Sequence, residues 1–219
     1  MATRALLAQL LQLHQDTSGH PTQILSIGGV DAFKRLQAGE TFDVAVLASD
    51  AIAKLVDSGH ALANSVTPVA HSGVAAAVPA GAGVPDLSTE ASVQAAVLAA
   101  PSISYSTGPS GVALAQLFGR WGIAEQVASK TITPPPGTPV ASLVASGQAA
   151  LGFQQLSELL GVDGIHIVGP LPSGIQITTT FSACVLATSQ QPRAAADLLA
   201  FLASEASAPA KQAQGMTPA

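Results

Sequence analysis

The sequence predicts an α/β fold built mainly from parallel sheets with helices on both faces. Short apolar strand-like runs alternate with segments of helical period along the whole chain. Glycines close one helical segment after another. Although 48% of the 219 residues are hydrophobic, they fall in short segments broken by Gly, Pro and Ser, with no uninterrupted apolar span of about 20 residues.

The elements follow in order. Leu6, Leu7, Leu10, Leu11 and His14 recur at helical spacing, and Gly19 stops that helix. Residues 24–27 form an apolar strand, followed by Gly28, Gly29 and a helix through Phe33 and Leu36 that ends at Gly39. A strand over 44–47 leads to Ser49, which can cap a helix over 52–56 closed by Gly59. Residues 66–78 read as extended segments interrupted by Pro68 and Gly73. A helix over 92–99, a strand over 102–105, a helix from Gly111 to Arg120 and a helix over 140–145 closed by Gly147 come next. The segment 134–139 has four prolines in six residues, which remove amide donors and fix φ, so it is a shaped loop suited to the lip of a cleft. A very short strand over 151–153, another near 165–168, a turn at Pro170 and Pro172, a β-rich stretch over 175–187 and a helix over 193–201 complete the pattern.

Composition narrows the function. Only 10% of residues are charged and 4% aromatic, with a net charge of −5, so nucleic acid and anionic membrane are excluded as partners and a small solute is expected. Cys184 is the single cysteine; it cannot form an internal disulfide, and its apolar run 181–187 reads as a burial site for an inert thiol. His14, His20, His60, His71 and His166 lack metal-ligand spacing, and no P-loop, Gly-x-Gly-x-x-Gly turn or nucleophile elbow is present. No metal or cofactor is expected. The start lacks a continuous apolar h-region because Gln9 and Gln12 interrupt it, which as written places the chain in the cytoplasm.

The richest stretch is YSTGPSG at 105–111, where a strand turns into a helix. Backbone N–H groups at the helix start, with the hydroxyls of Ser106, Thr107 and Ser110 and the open backbone of Gly111, can surround an oxyanion without any Lys or Arg. The same residues serve a capped turn for purely conformational reasons. Two further strand ends are polar: Ser26 with Gly28 and Gly29, and Gln154 with Gln155. In parallel α/β sheets, ligands sit beyond the carboxyl ends of the strands, so convergence of the three ends is the site hypothesis.

Four segments in order, QAGETFD at 37–43 leading to ASD at 48–50, YSTGPSG at 105–111, VASG at 144–147 leading to LGFQQ at 151–155, and the helix over 193–205, resemble the type II solute-binding proteins of ABC transporters, specifically the molybdate-binding-like branch. That resemblance implies two lobes, 1–72 with 179–219 and 73–178, joined by two crossing strands near 71–74 and 178–181. It implies a small oxyanion or carboxylate held in the cleft between lobes by amides and hydroxyls, a monomer, and permease subunits as partners. Ser110 and Val140 stand where the family makes contacts. Gly28 and Gly29 replace a family serine, and Gln155 replaces a family tyrosine, which recasts the pocket for a ligand other than molybdate. The family also begins with a strand that is missing here; a start lying further upstream is the favoured explanation, and it would place the protein in the periplasm.

YSTGPSG together with GFQQLSE at 152–158 and VGPLP at 168–172 is closer to a subset of this family that includes aconitate isomerase. The alternative function is therefore isomerisation of a small polycarboxylate on the same scaffold, with His71 and Tyr105 the nearest candidates for the base. A tricarboxylate calls for compensating cations, and of eight Lys and Arg only Arg4, Lys34 and Arg35 lie near a strand end. Arg4, in the first turn of the first helix, is the cation placed to face the cleft; Lys34 and Arg35 lie on a helix that can point them to water.

Overall fold

A computed structural model describes residues 1–135 and 137–219. Helix α1, Arg4–Ser18, buries Leu6, Leu7, Leu10 and His14 along one stripe, and Gly19 ends it at φ 73°, a conformation that costs little without a Cβ. Helix α2, Gly29–Gln37, strand β1, Val44–Ala48, helix α3, Ser49–Asp57, and strand β2, Thr67–Pro79, follow. Next are α4, Glu90–Ala99, β3, Ile103–Tyr105, α5, Pro109–Arg120, α6, Ala124–Ala128, and α7, Val140–Ala145. Then come β4, Leu151–Gln155, α8, Leu156–Leu159, and β5, Ile165–Pro170. The chain finishes with β6, Thr178–Val185, α9, Pro192–Ala203, α10, Ala208–Ala213, and β7, Met216–Pro218.

The chain divides into two compact units, Met1–Ser72 with Thr179–Ala219, and Gly73–Thr178. In the first unit the strand order is β1–β6–β2–β7. Period-two alternation sends successive side chains to opposite faces. Ala183 and Val185 of β6 face α1, α9 and α10, whereas Cys184 and Leu186 face α2 and α3. In the second unit the order is β3–β4–β2–β5. Val74, Ala76 and Val78 join Phe153, Leu114 and Phe118 on one face; Ala75 and Ala77 meet Val140, Val144 and Leu159 on the other. Helices therefore cover both faces of each sheet, as expected.

Several expectations need correction. The sheets are not mainly parallel: β3 and β4 run parallel, but β1–β6, β2–β4, β2–β5 and β2–β7 are antiparallel. Helix and strand alternation in the sequence does not reveal that β2 passes through both units and meets returning strands head to tail. Residues 24–27 form no strand, because no ladder of the first unit takes them; Ile24 and Leu25 stay 44% and 50% exposed. Residues 67–79 are one continuous strand. Pro68 is tolerated at its exposed second position, where a missing donor costs little, and Gly73 lies under the Gln176 side chain. Strand β4 runs on through Gln154 and Gln155, so both glutamines belong to the strand. Residues 208–218 add α10 and β7, which the sequence reading passed over. Within the proline segment 134–139, Pro136 lies outside the described residues; its described neighbours are irregular.

Ser49 does not cap α3 with its side chain. Its hydroxyl donates to the Thr180 carbonyl at 3.0 Å and lies 2.7 Å from the Ser182 hydroxyl, tying the end of β1 to β6. Cys184 is fully buried, and burial pushes its thiol up to about 11 against a weaker opposing bond from the Ala45 backbone. Because the thiolate is the reactive form, the native protein is expected to resist maleimide at neutral pH and to react only once unfolded; rapid labelling of the folded chain would contradict this.

No helix among the described residues is long and apolar enough to cross a membrane.

Candidate functional site

In the second unit, β3 and β4 lie side by side in parallel, with Tyr105 opposite Phe153. Parallel pairing brings the turn after Tyr105 next to the end of β4, so the Ser106 to Gly111 turn, Gln154 and Gln155 share one edge of that sheet. Helix α7 packs on the same two strands.

The turn is tightly wound. Ser106 and Ser110 hydroxyls are 3.1 Å apart, and the Ser106 hydroxyl also accepts the Gly108 N–H at 3.3 Å. Pro109 opens α5 and has no N–H to spare; the Gly111 and Val112 amides both donate to the Gly108 carbonyl, at 3.0 and 3.1 Å. The decisive feature is Gly111. A Cβ at that position would fall 1.5 Å from the Ser106 carbonyl oxygen, so the first turn of α5 can close over Ser106 only with glycine there. What the turn offers a solute is the Ser110 amide, the Ser106 and Ser110 hydroxyls and the positive end of a twelve-residue helix. Thr107 is exposed beside them.

At the end of β4, Gln154 is buried and its side-chain oxygen accepts the Ala141 N–H at 3.0 Å, satisfying one of the orphan donors at the start of α7. Val140, also buried, is the first residue of that helix. Gly152 lets α7 lie close: a Cβ there would be 2.4 Å from a Val144 methyl and 2.9 Å from a Val140 methyl. Gln155 is buried at the strand end. One turn on, burial holds the half-buried Glu158 carboxyl above its ordinary range, partly offset by a hydrogen bond with Gln154. Sequence reasoning singled out Gln154 as a solute donor; the structure gives its oxygen a capping role, which only the packing of α7 on β4 could reveal.

In the first unit, Gly28 precedes α2 and Gly29 opens it, with a Leu47 methyl 4.0 Å from where a Gly29 Cβ would lie. Ser26 is half-buried in the irregular segment before them. Arg4 is exposed as the first residue of α1. Arg35 is paired with Glu40 on the protein surface. Of the candidate bases, His71 places Nδ1 2.9 Å from the Thr180 hydroxyl, and Tyr105 packs edge-on against Phe118 at 5.7 Å. Among the described residues no group of His, Cys, Asp and Glu could hold a metal ion.

A family model for bacterial extracellular solute-binding proteins matches residues 1–217. The chain belongs to that family. This solute-binding protein is 40% identical over 185 residues to aconitate isomerase of a Pseudomonas species, covering 84% of the chain and 70% of that enzyme. Among solved structures, the periplasmic molybdate-binding protein of Azotobacter vinelandii superposes with a TM-score of 0.82 at 20% identity, over 99% of this chain and 95% of that one. The substrate-binding domain of a putative molybdenum ABC transporter from Clostridium difficile gives 0.76 at 15% identity, over 100% and 95%. The solute-binding protein thus has the type II binding-protein fold that its sequence segments implied, and its ligand is a small molecule.

Proposed function

We propose that this protein binds a small carboxylate-bearing anion at the strand ends of its second unit. The observation that carries the reading is the Gly111 turn: a close approach possible only for glycine holds two serine hydroxyls 3.1 Å apart at the positive end of α5. Such a site recognises one or two negative charges with dipoles and hydroxyls. Gln155 and Val140, buried at the adjoining β4 and α7 ends, complete its wall. The protein works as a monomer without nucleic acid and delivers its solute to membrane permease subunits. The family's description as extracellular favours the periplasm.

A thermal-shift screen against molybdate, sulfate, phosphate and di- and tricarboxylates tests the class of ligand. A ligand at about 100 times its Kd adds roughly 2.7 kcal/mol of stability. Stabilisation by carboxylates is expected; a response to inorganic oxyanions alone would overturn the carboxylate assignment. Ser110→Ala removes one donor to a charged group and is expected to weaken binding about tenfold with little change in the unliganded melting point. Unchanged affinity would remove Ser110 from the site.

The 40% identity to an aconitate isomerase favours a second reading, in which the bound anion is aconitate and is also converted. The reaction removes a proton from one carbon of an allylic system and returns one at the other end as the double bond moves. Proton NMR of either isomer in the presence of the protein tests it: interconversion supports the enzyme, and binding without interconversion leaves a receptor.

A further inference from the structure

A second polar depression lies on the far part of α5. A cavity of about 370 Å³ is lined by Ala113, Gln116, Leu117 and Arg120 of that helix and by residues 174–177. Gln116 and Arg120 are one helical turn apart and share a face. The second unit contains two cations, Arg120 and Lys130. Lys130 is committed: its ammonium donates to the Leu98 and Ala100 carbonyls at 2.6 and 2.8 Å, closing the end of α4. The exposed Arg120 side chain makes no ion pair or hydrogen bond among the described residues.

Opposite it, Gln176 is oriented by its own backbone. Its side-chain oxygen accepts the Ile177 N–H at 2.9 Å, and its amide nitrogen lies 3.0 Å from where a Gly73 Cβ would be. Gln176 lines the cavity with its carboxamide lying over Gly73. A guanidinium and two carboxamides around one cavity match a small oxyanion, a carboxylate, phosphate or sulfate group.

We propose that this cavity, lined by Gln116, Arg120 and Gln176, is a second oxyanion site, separate from the turn at Ser106 and Ser110. Its lining residues come from α5 and from the segment that leads into β6, so an anion there fastens the helix to that segment. A purely structural role for Arg120, neutralising the negative end of α5, makes a different prediction.

The test is a titration of the 15N-labelled protein with sodium sulfate at constant ionic strength, followed by amide shifts. Saturating shifts are expected at Gln116, Arg120, Gly174 and Gln176, including the glutamine side-chain amides. Arg120→Gln is expected to weaken them about tenfold, Arg120→Lys to restore part of the affinity, and Ser110→Ala to leave them unchanged. Conversely, Ser110→Ala acts on shifts at Ser106 and Gly111 alone, so failure of either site is read separately. Absence of a saturating response at the cavity, or a response that Arg120→Gln leaves intact while only lowering stability, would overturn the proposal.

Discussion

Replacing Gly111 by alanine is expected to lower the stability of the second unit by about 3 kcal/mol or more and to abolish solute binding. The added methyl would sit 1.5 Å from the Ser106 carbonyl oxygen, which is backbone and cannot swing aside. Either the first turn of α5 unwinds or the strand end moves, and both separate Ser106 from Ser110. Trp121, the only tryptophan, packs near Phe118 just past that helix, so its fluorescence follows this unit during denaturation. A Gly111→Ala midpoint equal to that of the parent chain would show that the turn is looser than described. The contrast with Ser110→Ala separates backbone fit from hydroxyl chemistry. A valine at position 111 must disturb the fold in the same way, since its Cβ meets the same carbonyl oxygen.

Phe153→Ala is expected to cost about 3–5 kcal/mol, the range for deleting a fully buried aromatic side chain. Phe153 is completely buried in β4, between Ala76 on β2 and Tyr105 on β3, and fills the core with Leu114 and Phe118. The cavity left by its ring is bounded by sheet backbone, which relaxes little. The same Trp121 transition reports the loss, and a shift of under a tenth of the parent midpoint would contradict the packing. Solute affinity should fall too, because β4 delivers Gln155 and holds α7 through Gln154.

How much of this was legible depends on the range of the interactions involved. Helix α1 and its stop at Gly19 follow from spacing and one left-handed residue, both local. The family resemblance rested on ordered segments at turns and strand ends, and the fold it implied is the one observed. Pairing partners were not legible: nothing near residues 24–27 says that no strand awaits them, and nothing near residue 216 says that β7 will find β2 some 145 residues earlier in the chain. Ser49 looked like a helix cap because its neighbours are helical; its actual partners, Thr180 and Ser182, are distant in sequence. Gly111 was read as room for a ligand. Its first duty is to admit the Ser106 carbonyl, a contact between residues only five apart that depends on how sharply the turn is wound.

Strand β2 has a consequence for what variation the protein can absorb. Within thirteen residues it pairs with β7 at Ala70 to Ser72, with β4 at Val74 to Ala77, and with β5 from Ala75 onward. Inserting or deleting one residue near its middle would turn every following side chain to the opposite face, sending Ala75 and Ala77 where Val74 and Ala76 now pack. Length changes are therefore confined to the connections at either end, such as residues 80–89. Homologous chains that recombine or diverge in one unit must inherit this strand whole, because its single reading frame of faces is shared by both.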